Sequence, residues 1–429
     1  MKPTSFLTLV FTLCMTSVFA QKLSSKEKKI IQIVESNQAE AVDFLEKVVN
    51  INSGTMNHAG VKEVGMVFQS EFDQIGFNTR WIDLNHINRS GHLFAETRGT
   101  KGRKILMIGH LDTVFEKDSP FQKFVRQDSI AFGPGANDMK GGDVIILFAL
   151  KALFEAGLLN DAQIIVAYTG DEENTGHPLE ISRKDLIEAA KRSDIALGYE
   201  TSTGFNYATV ARRGSSGWQV EVSGKRAHSA GIFSEHTGAG AIFEMSRILN
   251  SFYEDVRGEE YLTFNPGVIL GGTRVDYDTA MSQGEAFGKS NVVAQTAVVT
   301  GGLRFISEEQ LASTREKMKE IVSQNLPQTH AVISFTDSYP SMAPTEGNLA
   351  LLRKLNQVSL DLGQGEVQAY NPGRRGAADI SFVAQYVDGL DGLGTMGGGA
   401  HTPGETVDMR TMEDLTKRTA ILLYRLINE

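Results

Sequence analysis

The sequence predicts an α/β fold with a mixed, largely parallel sheet, interrupted by an inserted α+β unit. Three observations carry this. A chain of 429 residues exceeds one ordinary hydrophobic core, so two domains are expected. Strand-like apolar runs alternate with helix-periodic segments up to about residue 206. The pattern then changes near residue 207 and resumes from about Ser341, so the main domain is built from two distant pieces, 21–206 and 339–429, around an insert at 207–338.

In chain order, Ser24–Ile51 is helix-periodic, with Ile30, Ile33, Val34, Val42, Leu45 and Val48 near one face. Val61–Ile75 reads as a second helix, closed by Gly76. Arg80–Leu84 and Lys104–Gly109 read as strands, Gly142–Glu155 as a helix, and Gln163–Thr169 as a strand. Ile181–Ala190 is a further helix and Ile195–Tyr199 a further strand. His110, Glu172 and Glu200 then fall just past the carboxyl ends of strands, where ligand sites of open α/β sheets gather. In the insert, Tyr207–Arg213 and Gly217–Ser223 read as paired strands, followed by a helix over Gly238–Tyr253 and strands over Tyr261–Leu270 and Asn291–Ile306. Ser307-Glu-Glu opens a helix to Asn325, and Ala331–Asp337 is the last strand of the insert. The chain ends in an amphipathic helix, Thr411–Ile427.

A hydrophobic content of 41% with 22% charged residues fits a soluble globular protein. The formal charge of −10 disfavours nucleic acid and anionic membranes as partners. Lys2, the apolar segment Phe6–Met15 and Val18-Phe-Ala20 read as a signal peptide cut before Gln21, giving a secreted or periplasmic protein with no membrane attachment after cleavage. The alternative is an uncut N-terminal anchor. Cys14, the one cysteine, lies in that segment, and Phe11-Thr-Leu13 before it does not resemble a lipoprotein box. The mature chain then has neither disulfides nor thiolate ligands, and any metal must be held by His, Asp and Glu.

Five places offer such ligands. His110-Leu-Asp112 suits a metal-binding imidazole with Asp112 fixing the ring or its surroundings. Asp138 lies in the glycine-rich loop Gly133-Pro-Gly-Ala-Asn-Asp-Met-Lys-Gly-Gly142, where backbone packs close to an ion. Glu172-Glu173 puts a ligand beside a free carboxylate, the division of labour that metal-assisted hydrolysis needs. Glu200 and His401, the latter in Gly397-Gly-Gly-Ala-His-Thr-Pro403, complete the set. Each alone reads more simply as a turn acid, a solvated pair or a loop histidine; their order changes that.

His, Asp, Glu-Glu, Glu, His, each in a loop after an apolar run, resembles the dizinc aminoacylase/carboxypeptidase family, which includes glutamate carboxypeptidase, acetylornithine deacetylase and succinyl-diaminopimelate desuccinylase. The resemblance spans nearly the whole mature chain. It rests on Gly109-His-Leu-Asp-Thr-Val114, the 133–142 loop, Asp171-Glu-Glu173 and Gly224-Lys-Arg-Ala-His-Ser-Ala-Gly231. It implies a zinc-exopeptidase-like catalytic domain and a ferredoxin-like insert serving as lid and dimer interface. It also implies two zinc ions per chain, replaceable by cobalt or manganese. His110 and Glu200 would hold one ion, Glu173 and His401 the other, Asp138 would bridge them, and Glu172 would be the general base. A cis peptide after Asp138 is implied too. His228 would reach the partner subunit's active site in a homodimer and steady the oxyanion, while Asn291 and Arg304 would meet substrate from the lid.

The chain departs from that pattern in places. Asp337-Ser-Tyr-Pro340 lacks the arginine that glutamate carboxypeptidase carries after the last lid strand. Gly373-Arg-Arg-Gly-Ala-Ala-Asp379 places Arg374 and Arg375 where relatives often have Gly or Thr, able to replace the missing charge or to face water. His58, His86, His92, His177, His236 and His330 read as structural or exposed, with His177 near enough to the Glu-Glu loop to line an entrance. The reading that follows is a metallocarboxypeptidase acting on short peptides or acyl-glutamate-like substrates. An N-acyl-amino-acid deacylase using the same site is the alternative, and a non-catalytic binding protein, which would have no need of Glu172, is the third.

Overall fold

The computed structural model describes residues 23–279 and 281–429. The expected signal peptide, with Cys14 and the cleavage point after Ala20, lies outside them. Helix α1 (Ser25–Val49) starts at a capping box: the Ser24 hydroxyl accepts from the Glu27 N–H, and the Glu27 carboxylate accepts from the Ser24 N–H at 2.7 Å. Then follow α2 (His58–Gln74), β1 (Asn78–Asp83), β2 (Gly91–Glu96), β3 (Lys101–His110), the short β4 (Val125–Gln127) and β5 (Ile130–Phe132), α3 (Lys140–Glu155) and β6 (Ala162–Thr169). The expected helix over Ile181–Ala190 is split by Arg183 into α4 (Leu179–Ser182) and α5 (Lys184–Lys191), and β7 (Ile195–Gly198) comes next.

These strands join β16 (Asp388–Leu390) in a sheet ordered β1-β2-β6-β3-β7-β16. β6, β3, β7 and β16 run parallel, and β1 and β2 are antiparallel at one edge. Both faces are covered, and the period-two alternation of strands decides what each face buries. Ile105, Met107, Ile164 and Val166 join the core formed with α1, α2, α3 and α9 (Met409–Ile427). Leu106, Ile108, Ile165 and Ala167 join a second core with Leu186 and Ala189 of α5. Gly142 lets α3 press against the end of β7, since a Cβ there would sit 2.1 Å from the Tyr199 carbonyl oxygen.

The chain from Tyr207 departs from expectation. β8 (Tyr207–Ala208) does not pair with the next strand, β9 (Gly214–Gly224); it pairs in parallel with the two-residue β15 (Gln368–Ala369). The physical reason is that 209–213 carries no hairpin turn. It is a buried connector, bridged to the main body at Thr209–Asp391 and Arg212–Met342. After β9 come α6 (Ala241–Ser251), β10 (Thr263–Gly272), an unforeseen hairpin of β11 (Arg274–Asp278) and β12 (Gln283–Phe287), β13 (Thr296–Phe305), α7 (Glu308–Ser323) and β14 (Thr329–Asp337). β9, β10, β13 and β14 form an antiparallel sheet ordered β10-β13-β9-β14, the ferredoxin-like arrangement, with a core of its own around Trp218, Val220, Met245, Phe252, Val299 and Met318. The main body resumes with α8 (Glu346–Asp361). β17 (Gly397–Gly398) and β18 (Thr406–Asp408) pair with β5 and β4 in a small sheet that frames the loop holding His401. Among the described residues, no helix is long and apolar enough to cross a membrane.

Trp218 packs edge-on against Phe252, with ring centroids 5.7 Å apart, and its indole N–H donates to the Gly302 carbonyl at 3.2 Å. Trp218→Ala is expected to cost about 3–5 kcal/mol, measured by denaturant unfolding. A loss below about 1 kcal/mol would show that this sheet does not depend on its own core.

Candidate metal centre

The strands deliver the site. His110 is the last residue of β3, Glu172 and Glu173 follow β6, and Glu200 follows β7, so adjacent parallel strands present all four at their carboxyl ends. Asp138 comes from the loop before α3, ahead of a cis Asp138–Met139 peptide, and His401 from the loop between β17 and β18.

Asp138 sits between the two histidines. Its Oδ1 lies 3.5 Å from His110 Nε2, and its Oδ2 lies 3.3 Å from His401 Nε2. Glu200 Oε1 is also 3.5 Å from His110 Nε2, and Glu173 Oε2 is 3.1 Å from His401 Nε2. Glu172 approaches the His110 and Glu200 side closely enough to share a metal-sized space with them. His110 Nδ1 lies 3.0 Å from the Asp112 carbonyl oxygen, which only accepts. That ring nitrogen therefore carries a proton, and Nε2 faces Asp138 and Glu200; burial opposes charge on the ring, but those carboxylates win and raise it well above its ordinary range. Buried His110 Nε2 has no hydrogen-bond partner. A buried ring nitrogen 3.5 Å from two carboxylates, too far for a good direct bond, is a position that a proton or a divalent cation fills. The all nitrogen-and-oxygen donor set suits zinc, cobalt or manganese.

The electrostatics agree. Burial, then the Glu200 charge, pushes the Glu172 carboxyl well above the ordinary range, and burial pushes Glu173 up to about 7 despite its bond to His401. Asp138 is driven below the usual range because His110 and His401 outweigh its burial. Bonds to Asp138 and Glu173 raise His401 to about 11. The cluster draws positive charge, as protons or as metal ions.

A second set of residues holds the first in place. Asp112 accepts from the backbone N–H groups of Glu172 at 3.0 Å and Glu173 at 3.1 Å, and from the Thr55 hydroxyl at 2.6 Å. Asp112 thus fixes the Glu-Glu backbone as well as facing His110. Behind it, buried Arg183 bonds Asp171 at 2.5 Å and Asp379 at 2.8 Å. Burial raises Asp171, but Arg183, His92 and bonds from Ser182 and Gly176 win and hold it at about 2. The Tyr339 hydroxyl donates to the Glu172 carbonyl at 2.7 Å.

A cavity of about 470 Å³ opens over the carboxylates, and Arg304 and Arg375 line it with Tyr339 and Ser215. Arg212 also lines it, bonded through Nε to Asp391 at 2.5 Å. Burial and the Arg212 charge bring Arg375 down to about 10. Not every expected residue arrives. Arg374 is exposed on a turn away from the cavity, and His177 is exposed and does not line it. His228 and Asn291 are neighbours, joined by a Ser229 N–H to Asn291 carbonyl bond of 2.9 Å, but both are exposed outside their own chain's cavity. Sequence reasoning missed Arg212, Tyr339 and Glu405. Arg212 was hidden in an apparent strand, Tyr339 in a stretch noted only for its lack of arginine, and Glu405 was signalled by an acid four residues after His401 in a glycine- and proline-bearing loop.

A family model described as Peptidase family M20/M25/M40 matches residues 106–428. Carboxypeptidase G2 of Pseudomonas sp. is 27% identical over 397 residues, covering 90% of this chain and 88% of its own. A succinyl-diaminopimelate desuccinylase of Gluconobacter oxydans is 26% identical over 334 residues, covering 74% and 80%. Among solved structures, aminopeptidase PepT of Bacillus cereus has a TM-score of 0.71 at 17% identity, covering 91% of this chain and 99% of that one, a likeness of fold.

The buried Arg183 network makes a prediction. Arg183→Met leaves the buried Asp171 and Asp379 carboxylates with only uncharged donors from Gly176, Ser182 and Thr169, which should cost about 3–5 kcal/mol. Chemical unfolding measures this, and a near-neutral effect would mean the carboxylates find other partners.

Proposed function

Because the chain belongs to peptidase family M20/M25/M40, and is thus a metal-dependent hydrolase of peptide or amide bonds, we propose that it is a two-zinc exopeptidase cleaving the amide next to a free carboxylate. The observation that carries this is Asp138, whose two oxygens face different histidines, with Glu172 and Glu173 side by side at the same cavity. In this reading His110 and Glu200 would hold one ion and Glu173 and His401 the other, with Asp138 shared between the two sides. Two divalent cations supply Lewis acidity that polarises the scissile carbonyl and acidifies a water. Glu172 takes the proton of that water and passes it to the leaving nitrogen. Asp112 keeps Glu172 in place through its backbone. Arg304 holds the substrate's terminal carboxylate, with Arg375 adding positive charge on the same wall. His228 and Asn291, outside their own cavity, serve the partner's site in a homodimer joined through the insert. The desuccinylase relative supports a second reading on the same machinery, an N-acyl-amino-acid deacylase.

Glu172→Gln should lower turnover by at least about 10²–10⁴-fold while elemental analysis still finds two metal ions per chain. Chelation should inactivate the wild type, and zinc, cobalt or manganese should restore it. Substantial activity in the variant, or full activity with one ion, would overturn the assignments.

Amidating the substrate's terminal carboxylate should lower kcat/KM by about 10–100-fold, because charge-assisted bonds to the Arg304 guanidinium, exposed in the free chain, are lost. Arg304→Ala should weaken activity on the free acid and erase most of that preference. Equal rates on free and amidated substrates would point to the deacylase reading.

Mixing inactive Glu172→Gln with inactive His228→Ala should regenerate activity, since one heterodimer site keeps both groups. No recovery under demonstrated subunit exchange would place His228 outside the partner's site.

A further inference from the structure

Glu405 is not among the residues that face the ion site, yet it touches the backbone of both loops that flank it. It is fully buried. Its Oε1 accepts from the N–H groups of Asn137 and Asp138, each at 2.9 Å, and its Oε2 accepts from the Gly135 N–H at 3.1 Å. Its own carbonyl accepts from the Gly133 N–H at 3.3 Å, and its N–H donates to the Thr402 carbonyl at 3.0 Å. One side chain therefore gathers the donors of the 133–138 loop, while its backbone closes the turn that follows His401.

That matters because His401 is the most weakly anchored of the proposed ligands. Its side chain is 58% exposed, and its backbone is left-handed at φ 62°. His110 and Glu200 are delivered by strands of the central sheet, whereas His401 depends on a loop. The distance between His401 and Asp138 is set by how firmly their two loops are joined, and Glu405 is the joint.

We propose that Glu405 is a positioning residue that fixes Asp138 relative to His401, and so sets the affinity for the second ion. The proposal rests on the two-ion reading above. Charge-assisted bonds to a carboxylate are about twice as strong as neutral ones. A glutamine retains one carbonyl oxygen, but its amide presents N–H to a backbone N–H. Outer partners of metal ligands typically govern metal affinity by about 10–100-fold.

The test is calorimetric titration of metal-free Glu405→Gln with zinc, beside thermal unfolding of the metal-free protein and steady-state kinetics. The expected result is one ion bound at wild-type affinity and a second bound about 10–100-fold more weakly. Activity should return as zinc is raised, with KM little changed. Two ions at wild-type affinity, with only a lowered Tm, would make Glu405 a merely structural residue and overturn the proposal. Wild-type protein binding a single ion would instead overturn the two-ion reading itself. Should Glu405→Gln not fold, Thr395→Val removes a milder tether of the same loop, the 3.0 Å bond from the Thr395 hydroxyl to Asn137. A smaller loss confined to the weaker ion supports the proposal, and unchanged affinity for both ions counts against it.

Discussion

Mutual repulsion of four carboxylates is the constraint on which the rest of this structure depends. Asp138, Glu172, Glu173 and Glu200 line one cavity with His401, and buried His110 lies against Asp138 and Glu200. Like charges in a partly dry cavity repel far more strongly than in water. Left to themselves, such side chains would turn outward or take up protons. The rigid elements of the fold can be understood as the means of holding them together until cations neutralise them.

The restraint is arranged in depth. Parallel strands fix where His110, Glu172 and Glu200 begin, and the alternating packing of Ile105 to Ile108 into two opposite cores leaves the sheet little freedom to shift. Asp112 then pins the Glu172 and Glu173 backbone with both of its oxygens. Asp171, the residue before the pair, is held by Arg183, whose second bond to Asp379 ties the Glu-Glu loop to the returning part of the chain. A charge buried for structure thus supports charges buried for chemistry. Residues widely separated in sequence converge because a chain interrupted by an insert must be closed again around its site.

The legible parts of this protein were those with strong local signals. The central strands and long helices were readable because apolar periodicity sustained over many residues leaves few alternatives. His110, Glu172, Glu173 and Glu200 were readable because each follows such a run, and Asp138 and His401 because each sits in a glycine-rich loop. Other parts depend on contacts that no local pattern announces. β2 is a short strand entered from a turn, and β17 and β18 are two and three residues long, stabilised by pairing with distant β5. Tyr207–Arg213 looks like a strand because it is rich in apolar and β-branched residues, but its middle, 208–212, is buried as a connector bridged to the main body. Arg212 was overlooked for the same reason: its partner, Asp391, lies 179 residues away. Arg374 and Arg375 were indistinguishable in sequence, and only the turn at Pro372–Arg374 sends one outward and brings the other to the cavity.

The cavity's two chemistries bear on each other. Its floor is acidic and its wall carries Arg212, Arg304 and Arg375. Without cations, the guanidiniums offset part of the floor's charge: Glu200 is among the charges that favour the protonated forms of Arg212 and Arg375. If divalent ions neutralise the floor, as the proposed function requires, that compensation disappears and the wall would favour an anion. Metal loading and anion recognition would then be coupled through the charges of one cavity. On the proposed reading, a substrate carboxylate would bind best once both ions are in place, because only then does the wall lack its acidic counter-charge.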